Sequence, residues 1–203
     1  LSLMTNRVFL TFMIASSCSA GIFFSMIGFV PFEYVRIGVD ISEVGFWFML
    51  IPFGYTFGNF LTKRFVHRIG IERMSQIGGL ISMLAMSALL LPSVLGWKHP
   101  IMIAVPCFFF GFSSGFVIAN ATMGAIASAG KLGGSASGIV GAVQMGFGVL
   151  GGSLVVSVGG YEHFESGVLI LICLAAFSTL SSTLAQHFSK TLPLVEPVEQ
   201  EAS

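Results

Sequence analysis

Six apolar runs, each about long enough to cross a bilayer, dominate this sequence and leave room for little else. They cover about 8–31, 44–62, 74–96, 100–122, 136–158 and 167–188 of the 203 residues, and a membrane-spanning helix needs roughly 20 apolar residues. No acidic residue falls inside any of them. Glu33, Asp40 and Glu43 follow the first run, Glu72 precedes the third, Glu162 and Glu165 separate the fifth from the sixth, and Glu196, Glu199 and Glu201 lie in the tail. A charge at the bilayer centre is costly, so the placement of the acids supports the boundaries independently of hydropathy.

The runs read as helices rather than barrel strands. Ile101-Met102-Ile103-Ala104-Val105 and Leu169-Ile170-Leu171-Ile172 show none of the apolar/polar alternation that a membrane strand needs. Composition agrees: 55% of residues are hydrophobic and 9% charged, with a mean hydropathy of +0.93, against about 25% charged in a soluble domain. This excludes an ordinary soluble enzyme and a disordered chain. A formal net charge of zero leaves no basic footprint for nucleic acid. Cys18, Cys107 and Cys173 are far apart in apolar runs, without disulfide or zinc spacing, and read as small apolar side chains.

Lysine and arginine set the expected orientation. Arg7, Lys63, Arg64, Arg68, Arg73, Lys131 and Lys190 belong to one set of ends and loops, and only Arg36 and Lys98 to the other. The positive-inside rule then puts the first set, and both termini, in the cytoplasm, as an even number of spans requires. Arg7 followed by an apolar stretch and Ser16-Ser17-Cys18 imitates a lipoprotein signal, but the stretch runs on to Val30 as a spanning helix would. Residues 1–190 are expected to form the bundle, and 191–203, polar and Pro-bearing, a disordered cytoplasmic tail. Leu1 in place of an initiator Met, just before a span, suggests the latter part of something longer, although Met4 is an alternative start.

Two motifs imitate chemistry. Gly111-Phe112-Ser113-Ser114-Gly115 matches G-x-S-x-G, but a nucleophile elbow needs a strand-turn-helix context with a His and an acid, and all four histidines fall in loops or near helix ends. Gly146-Phe147-Gly148-Val149-Leu150-Gly151 matches G-x-G-x-x-G without a preceding strand. The reading is of a non-enzyme that calls for no cofactor and no metal.

Small residues at helical spacing carry more content. Gly54/Gly58, Gly111/Gly115/Ala119, Gly134/Gly138 and Gly148/Gly152 are stripes on single faces that let helix backbones approach closely. Polar and aromatic groups share faces beside them: Ser17, Gly21, Phe24 and Gly28 on the first run; Tyr55, Asn59 and Thr62 on the second; Phe112, Phe116 and Asn120 on the fourth; Ser137, Gly141, Gln144 and Gly148 on the fifth. Uncharged amides in a membrane face other helices or a cavity. Gln144, near mid-depth, either bonds a neighbouring helix or lines a substrate path; Asn59 and Asn120 are packing or gate residues. The 21 Phe and 10 Met suit a soft, repackable apolar site.

Residues 5–190 resemble the C-terminal half of a major facilitator superfamily transporter, specifically a bacterial drug:proton antiporter of the bicyclomycin-resistance (Bcr/CflA) type. Three stretches carry the resemblance: Gly58-Asn59-Phe60-Leu61 followed by Arg64, Arg68, Gly70 and Arg73; Ala119-Asn120-Ala121; and Gly134-Ser135-Ala136-Ser137-Gly138 with Gly141 and Gln144. The resemblance implies an all-α membrane fold of twelve helices in two bundles, this chain supplying helices 7 to 12. Its first, second, fourth and fifth helices would line a central cavity and its third and sixth would pack outside. It further implies an N-terminal six-helix half as partner. Where the superfamily's basic loop often carries a gate-locking Asp, this chain has Lys63. The antiporter motif of helix 5 and the proton-carrying acids belong to the half not present here.

The expected function is efflux of drugs or other small amphipathic compounds across a bacterial inner membrane by alternating access, proton-coupled only with the other half. Phe24, Tyr55, Phe112, Phe116, Gln144 and Met145 are the cavity candidates. Gly58, Asn59, Arg64, Arg68, Arg73, Gly111, Gly115, Asn120, Gly138 and Gly141 are the gate and packing candidates. The alternatives are a truncated or structural six-helix membrane protein without transport, and a half-size facilitator acting as a homodimer.

Overall fold

The computed structural model describes residues 2–96, 98–158 and 163–191. Those residues form nine α-helices: α1 (Ser2–Thr5), α2 (Arg7–Arg36), α3 (Ile41–Phe48), α4 (Leu50–Ile69), α5 (Ile71–Ala88), α6 (Leu91–Leu95), α7 (Ile101–Ser128), α8 (Gly133–Ser157) and α9 (Phe164–Thr191). Among the described residues no strand occurs. Six stretches are long and apolar enough to cross a membrane: Arg7–Arg36, Ile41–Ile69, Ile71–Leu95, Ile101–Ser128, Gly130–Ser157 and Phe164–Ser189. Two of the six are broken, the second between α3 and α4 and the third between α5 and α6.

Local chemistry explains the ends. Asn6 caps α2: its Oδ1 accepts from the backbone N–H groups of Val8 and Phe9 at 3.0 and 3.2 Å, while its Nδ2 donates to the Ser128 carbonyl at 3.0 Å. One side chain thus satisfies two orphan donors of α2 and ties that end to the end of α7. Asp40 caps α3, accepting from the Ser42 N–H at 2.9 Å and its hydroxyl at 2.6 Å. The hydroxyl bond, then the backbone bond, holds its carboxyl below the usual range. Gly70 turns α4 into α5 at φ 87°, a left-handed conformation that glycine adopts without a Cβ penalty.

The bundle has two central helices. α2 packs against α7, α8 and α9, and α7 against α2, α4 and α5. In their most apolar windows 72% of α2 residues and 61% of α7 residues are buried, against 22% for the α3–α4 span and 17% for the span containing α8. α4 leans almost wholly on α7, and α8 chiefly on α2 with smaller contacts to α7 and α9. Two apolar cores lie at opposite ends. One gathers Met26, Phe29, Tyr34, Ile103, Phe110 and Phe164, with the Phe29 and Phe164 rings stacked at 5.0 Å. The other gathers Phe9, Phe12, Ala121, Ala125, Ala136 and Val140.

Between the cores runs a buried layer of serines. Ser178 donates to the Ala15 carbonyl at 2.9 Å and Ser19 to Ser114 Oγ at 3.5 Å, while Ser113 bonds back to the Phe110 carbonyl of its own helix at 2.8 Å. On the outer seam of α5 and α9, Ser75 and Ser182 share a hydrogen bond of 2.9 Å. Small polar side chains join helices here because lipid gives apolar surfaces no reason to associate. The G-x-S-x-G stretch lies wholly inside α7, and the G-x-G-x-x-G stretch wholly inside α8; neither has the turn its chemistry would need.

Candidate functional site

α2, α4, α7 and α8 meet around an open cavity of about 210 Å³ lined by Ala20, Phe23, Phe24, Tyr55, Ile118, Gln144 and Met145. The seam between α4 and α7 fixes one wall. These helices run parallel, with Gly54 and Gly58 against the backbone of Phe108 and Phe112, and Gly111 against Ile51. A Cβ on Gly115 would lie 2.7 Å from the Asn59 nitrogen. The backbones touch because these four positions lack side chains. That close approach sets the angle at which Tyr55 enters the cavity.

The opposite wall depends on α2 and α8. Gly21 abuts the Phe147 carbonyl, and the Phe24 side chain covers Gly148, where a Cβ would meet its ring at 2.8 Å. Phe24 is thereby held edge-on to Phe23 at 6.0 Å, and Phe23 lies 5.9 Å from Tyr55. Three aromatic rings from two helices form one surface. Gln144 Nε2 donates to Thr122 Oγ1 at 3.1 Å, orienting the amide from across the α7–α8 gap. Among the described residues no carboxylate, histidine, lysine or arginine lines this cavity.

Four of the six cavity candidates thus come together: Phe24, Tyr55, Gln144 and Met145. Phe112 and Phe116 lie elsewhere. Their rings pair at 4.7 Å, Phe112 also faces Phe57 at 5.8 Å, and Phe116 presses on Gly78 of α5. They fill the other side of α7, toward α4 and α5. Phe23 and Thr122 join the site without having been legible in the sequence. Phe23 adjoins Phe24, and both reach a cavity wider than a single helical stripe. Thr122 carries no signal of its own until α8 is placed beside it.

The gate and packing candidates divide four ways. Gly58, Gly111 and Gly115 belong to the α4–α7 seam. Asn59 and Asn120 bond back to their own helices, donating to the carbonyls of Tyr55 at 2.9 Å and Phe116 at 2.7 Å, and Asn120 is buried. Gly138 and Gly141 of α8 have no described residue within 4 Å of a would-be Cβ. Arg64, Arg68 and Arg73 are exposed, and none forms an ion pair among the described residues. No group of His, Cys, Asp or Glu suited to a metal occurs among the described residues.

Residues 1–155 match the Major Facilitator Superfamily. The chain belongs to this superfamily. Its six membrane helices are a half-fold of that architecture, which is one of multi-pass transporters and not of enzymes. The chain is 30% identical over 190 residues to a bicyclomycin resistance protein homolog of Haemophilus influenzae, covering 90% of this chain and 47% of that protein. It therefore spans about half the length of that curated relative. No solved structure matches it. Within the superfamily half-fold, the uncharged aromatic cavity and the bare glycine face of α8 are the two surfaces with the clearest call for a ligand or a partner.

Proposed function

We propose that this chain is the C-terminal six-helix half of a transporter that exports small amphipathic, drug-like compounds from a bacterial cell. The substrate sits between this half and an N-terminal half, and the two bundles rock to expose it to either side of the membrane. The observation that carries the reading is the cavity at α2, α4, α7 and α8, with three aromatic rings, one methionine and one oriented amide. Such a wall favours flat apolar ligands with one polar handle, and its thioether and ring surfaces repack around different shapes.

With no acid on this wall, a coupling proton is carried by the other half. The ends bearing Arg7, Lys63, Arg64, Arg68, Arg73 and Lys131 face the cytoplasm, following the excess of Lys and Arg there. Of residues 191–203, read from the sequence as a cytoplasmic tail, Thr191 ends α9 and 192–203 lie outside the described residues.

Gln144→Ala tests the site. In the natively expressed protein it should change resistance to at least some drugs at equal abundance, while costing the bundle only about 0.6 kcal/mol, a typical interhelical hydrogen bond in a membrane. Unchanged resistance across several chemically distinct drugs would remove Gln144 from the substrate path. The bare face of α8 equally admits a second copy of this chain, which gives the homodimeric half-size facilitator as a second reading. An antibody to Val195–Ala202 separates the two: a native polypeptide near twice 21.6 kDa supports the two-half transporter, and one of 21.6 kDa supports the homodimer.

A further inference from the structure

The side of α7 turned away from the cavity holds a second constructed surface. α4 and α5 are consecutive and joined through Gly70, yet each leans on α7 far more than on the other. On α4, Phe57, Leu61, Arg64 and Arg68 follow one another at i, i+4, i+7 and i+11, a single helical face. Phe57 marks where that face points, because its ring meets Phe112 at 5.8 Å and Phe112 meets Phe116 at 4.7 Å, against α5. The face is aromatic at membrane depth and cationic roughly 10 Å further on, seven residues at the helical rise.

At the cationic end the space between α4, α5 and α7 opens into a pocket of about 500 Å³ whose polar lining is Thr62, His67, Glu72 and Asn120. The polar groups of this lining are largely engaged. Thr62 bonds the Gly115 carbonyl at 3.2 Å, Asn120 the Phe116 carbonyl, and Glu72 accepts from the Ser189 hydroxyl at 2.7 Å. No Lys or Arg belongs to this lining, and the α4 face that carries Arg64 and Arg68 points away from Thr62 and Val66. Lys63, Arg64, Arg68 and Arg73 are exposed, and none has a carboxylate within ion-pair distance among the described residues.

We propose that this face of α4, with Arg73 of α5, binds an anionic phospholipid, its phosphate on Arg64, Arg68 and Arg73 and one acyl chain along Phe57 and Phe112. Charge complementarity selects the occupant. Three exposed cations with no carboxylate partner among the described residues attract an anionic headgroup at a membrane-water boundary, and a zwitterionic lipid brings its own ammonium into the same cluster. A free anion makes no use of the aromatic wall. The site is separate from the drug cavity, on the opposite side of the α4–α7 seam.

Native mass spectrometry of the detergent-solubilised, natively expressed protein tests this with dioleoylphosphatidylglycerol and dioleoylphosphatidylcholine as probes. Phosphatidylglycerol should be retained in preference. The triple variant Arg64→Gln, Arg68→Gln, Arg73→Gln should lose about 100-fold in that affinity, roughly fivefold per cation, with helical circular dichroism unchanged. Phe57→Ser should weaken retention of the lipid without touching a charge. Lys131→Gln, at the same end but in another loop, should change retention less than twofold. Equal retention of both lipids, or a loss in Lys131→Gln as large as in the triple variant, overturns a specific site. Displacement of the lipid by glycerol 3-phosphate overturns the acyl-chain contact and leaves a site for a free phosphate.

Discussion

Two helices of this bundle carry the same small-residue pattern and use it differently. In α4, Gly54 and Gly58 press on the backbone of α7, where Gly111 and Gly115 answer them. In α8, Gly134, Gly138, Gly141, Gly146 and Gly152 meet nothing within 4 Å of a would-be Cβ. The first set is a finished seam. The second is a bare face on a span only 17% buried in its apolar window. Glycine spacing states that a backbone must come close, and it does not say whose. For α4 the approaching backbone is within this chain. At these α8 positions no described residue of this chain comes that close, and on the two-half reading proposed above the approaching backbone is that of the other half.

The strongest way to break the comparison is a large side chain on each face. Gly58→Leu forces a branched side chain into the Phe112 backbone. α4 has little other packing to hold it, so the loss should reach about 3 kcal/mol, the upper end for overpacking. Reversible unfolding in mixed micelles measures it. A cost under about 1 kcal/mol would mean that α4 slides freely on α7 and that the seam is not a fixed joint.

Gly138→Leu should give the complementary result. Nothing stands near that position, so the stability of this bundle should shift by no more than about 0.5 kcal/mol, as for surface substitutions in general. If the proposed second half covers this face, resistance conferred by the natively expressed protein should nevertheless fall at least tenfold. If Gly138→Leu leaves resistance intact, the bare face is lipid-exposed in the working protein, and the contrast between the two stripes has no functional content.

How much of this was legible in advance follows from what each signal measures. Hydropathy and the exclusion of acids report depth in the membrane, so the six spans are readable. The breaks between α3 and α4 and between α5 and α6 are not, because Met49 and Leu89-Leu90 lie within unbroken apolar sequence. Helical spacing fixes which residues share a face but not which neighbour the face meets. Tyr55 and Gln144 sit on readable polar faces and reach the cavity. Phe112 and Phe116 share an equally readable face that turns toward α4 and α5. Asn59 and Asn120 illustrate the same limit: an amide within a span signals a need for a partner, and here the partner is a carbonyl four residues back.

The smallest effects sharpen the comparison within a single helix. Gly148 and Gly152 are one turn apart on α8, yet a Cβ at Gly148 would meet Phe24 at 2.8 Å, including contact with its Cβ at 3.2 Å, while Gly152 has open space. Gly148→Ala must push the base of Phe24, not merely its far end, and should cost about 1 kcal/mol. It should also alter drug selectivity, since Phe24 is part of the aromatic wall. Gly152→Ala should stabilise α8 by about 0.5 kcal/mol, because alanine gives up less backbone freedom in a helix than glycine does. Paired unfolding measurements read the two changes on a common scale. Opposite signs would show that the boundary between the packed and the bare face of α8 runs between these two residues. A loss at both would mean that α8 is already in contact along its whole length, with Gly152 held by something this bundle does not contain.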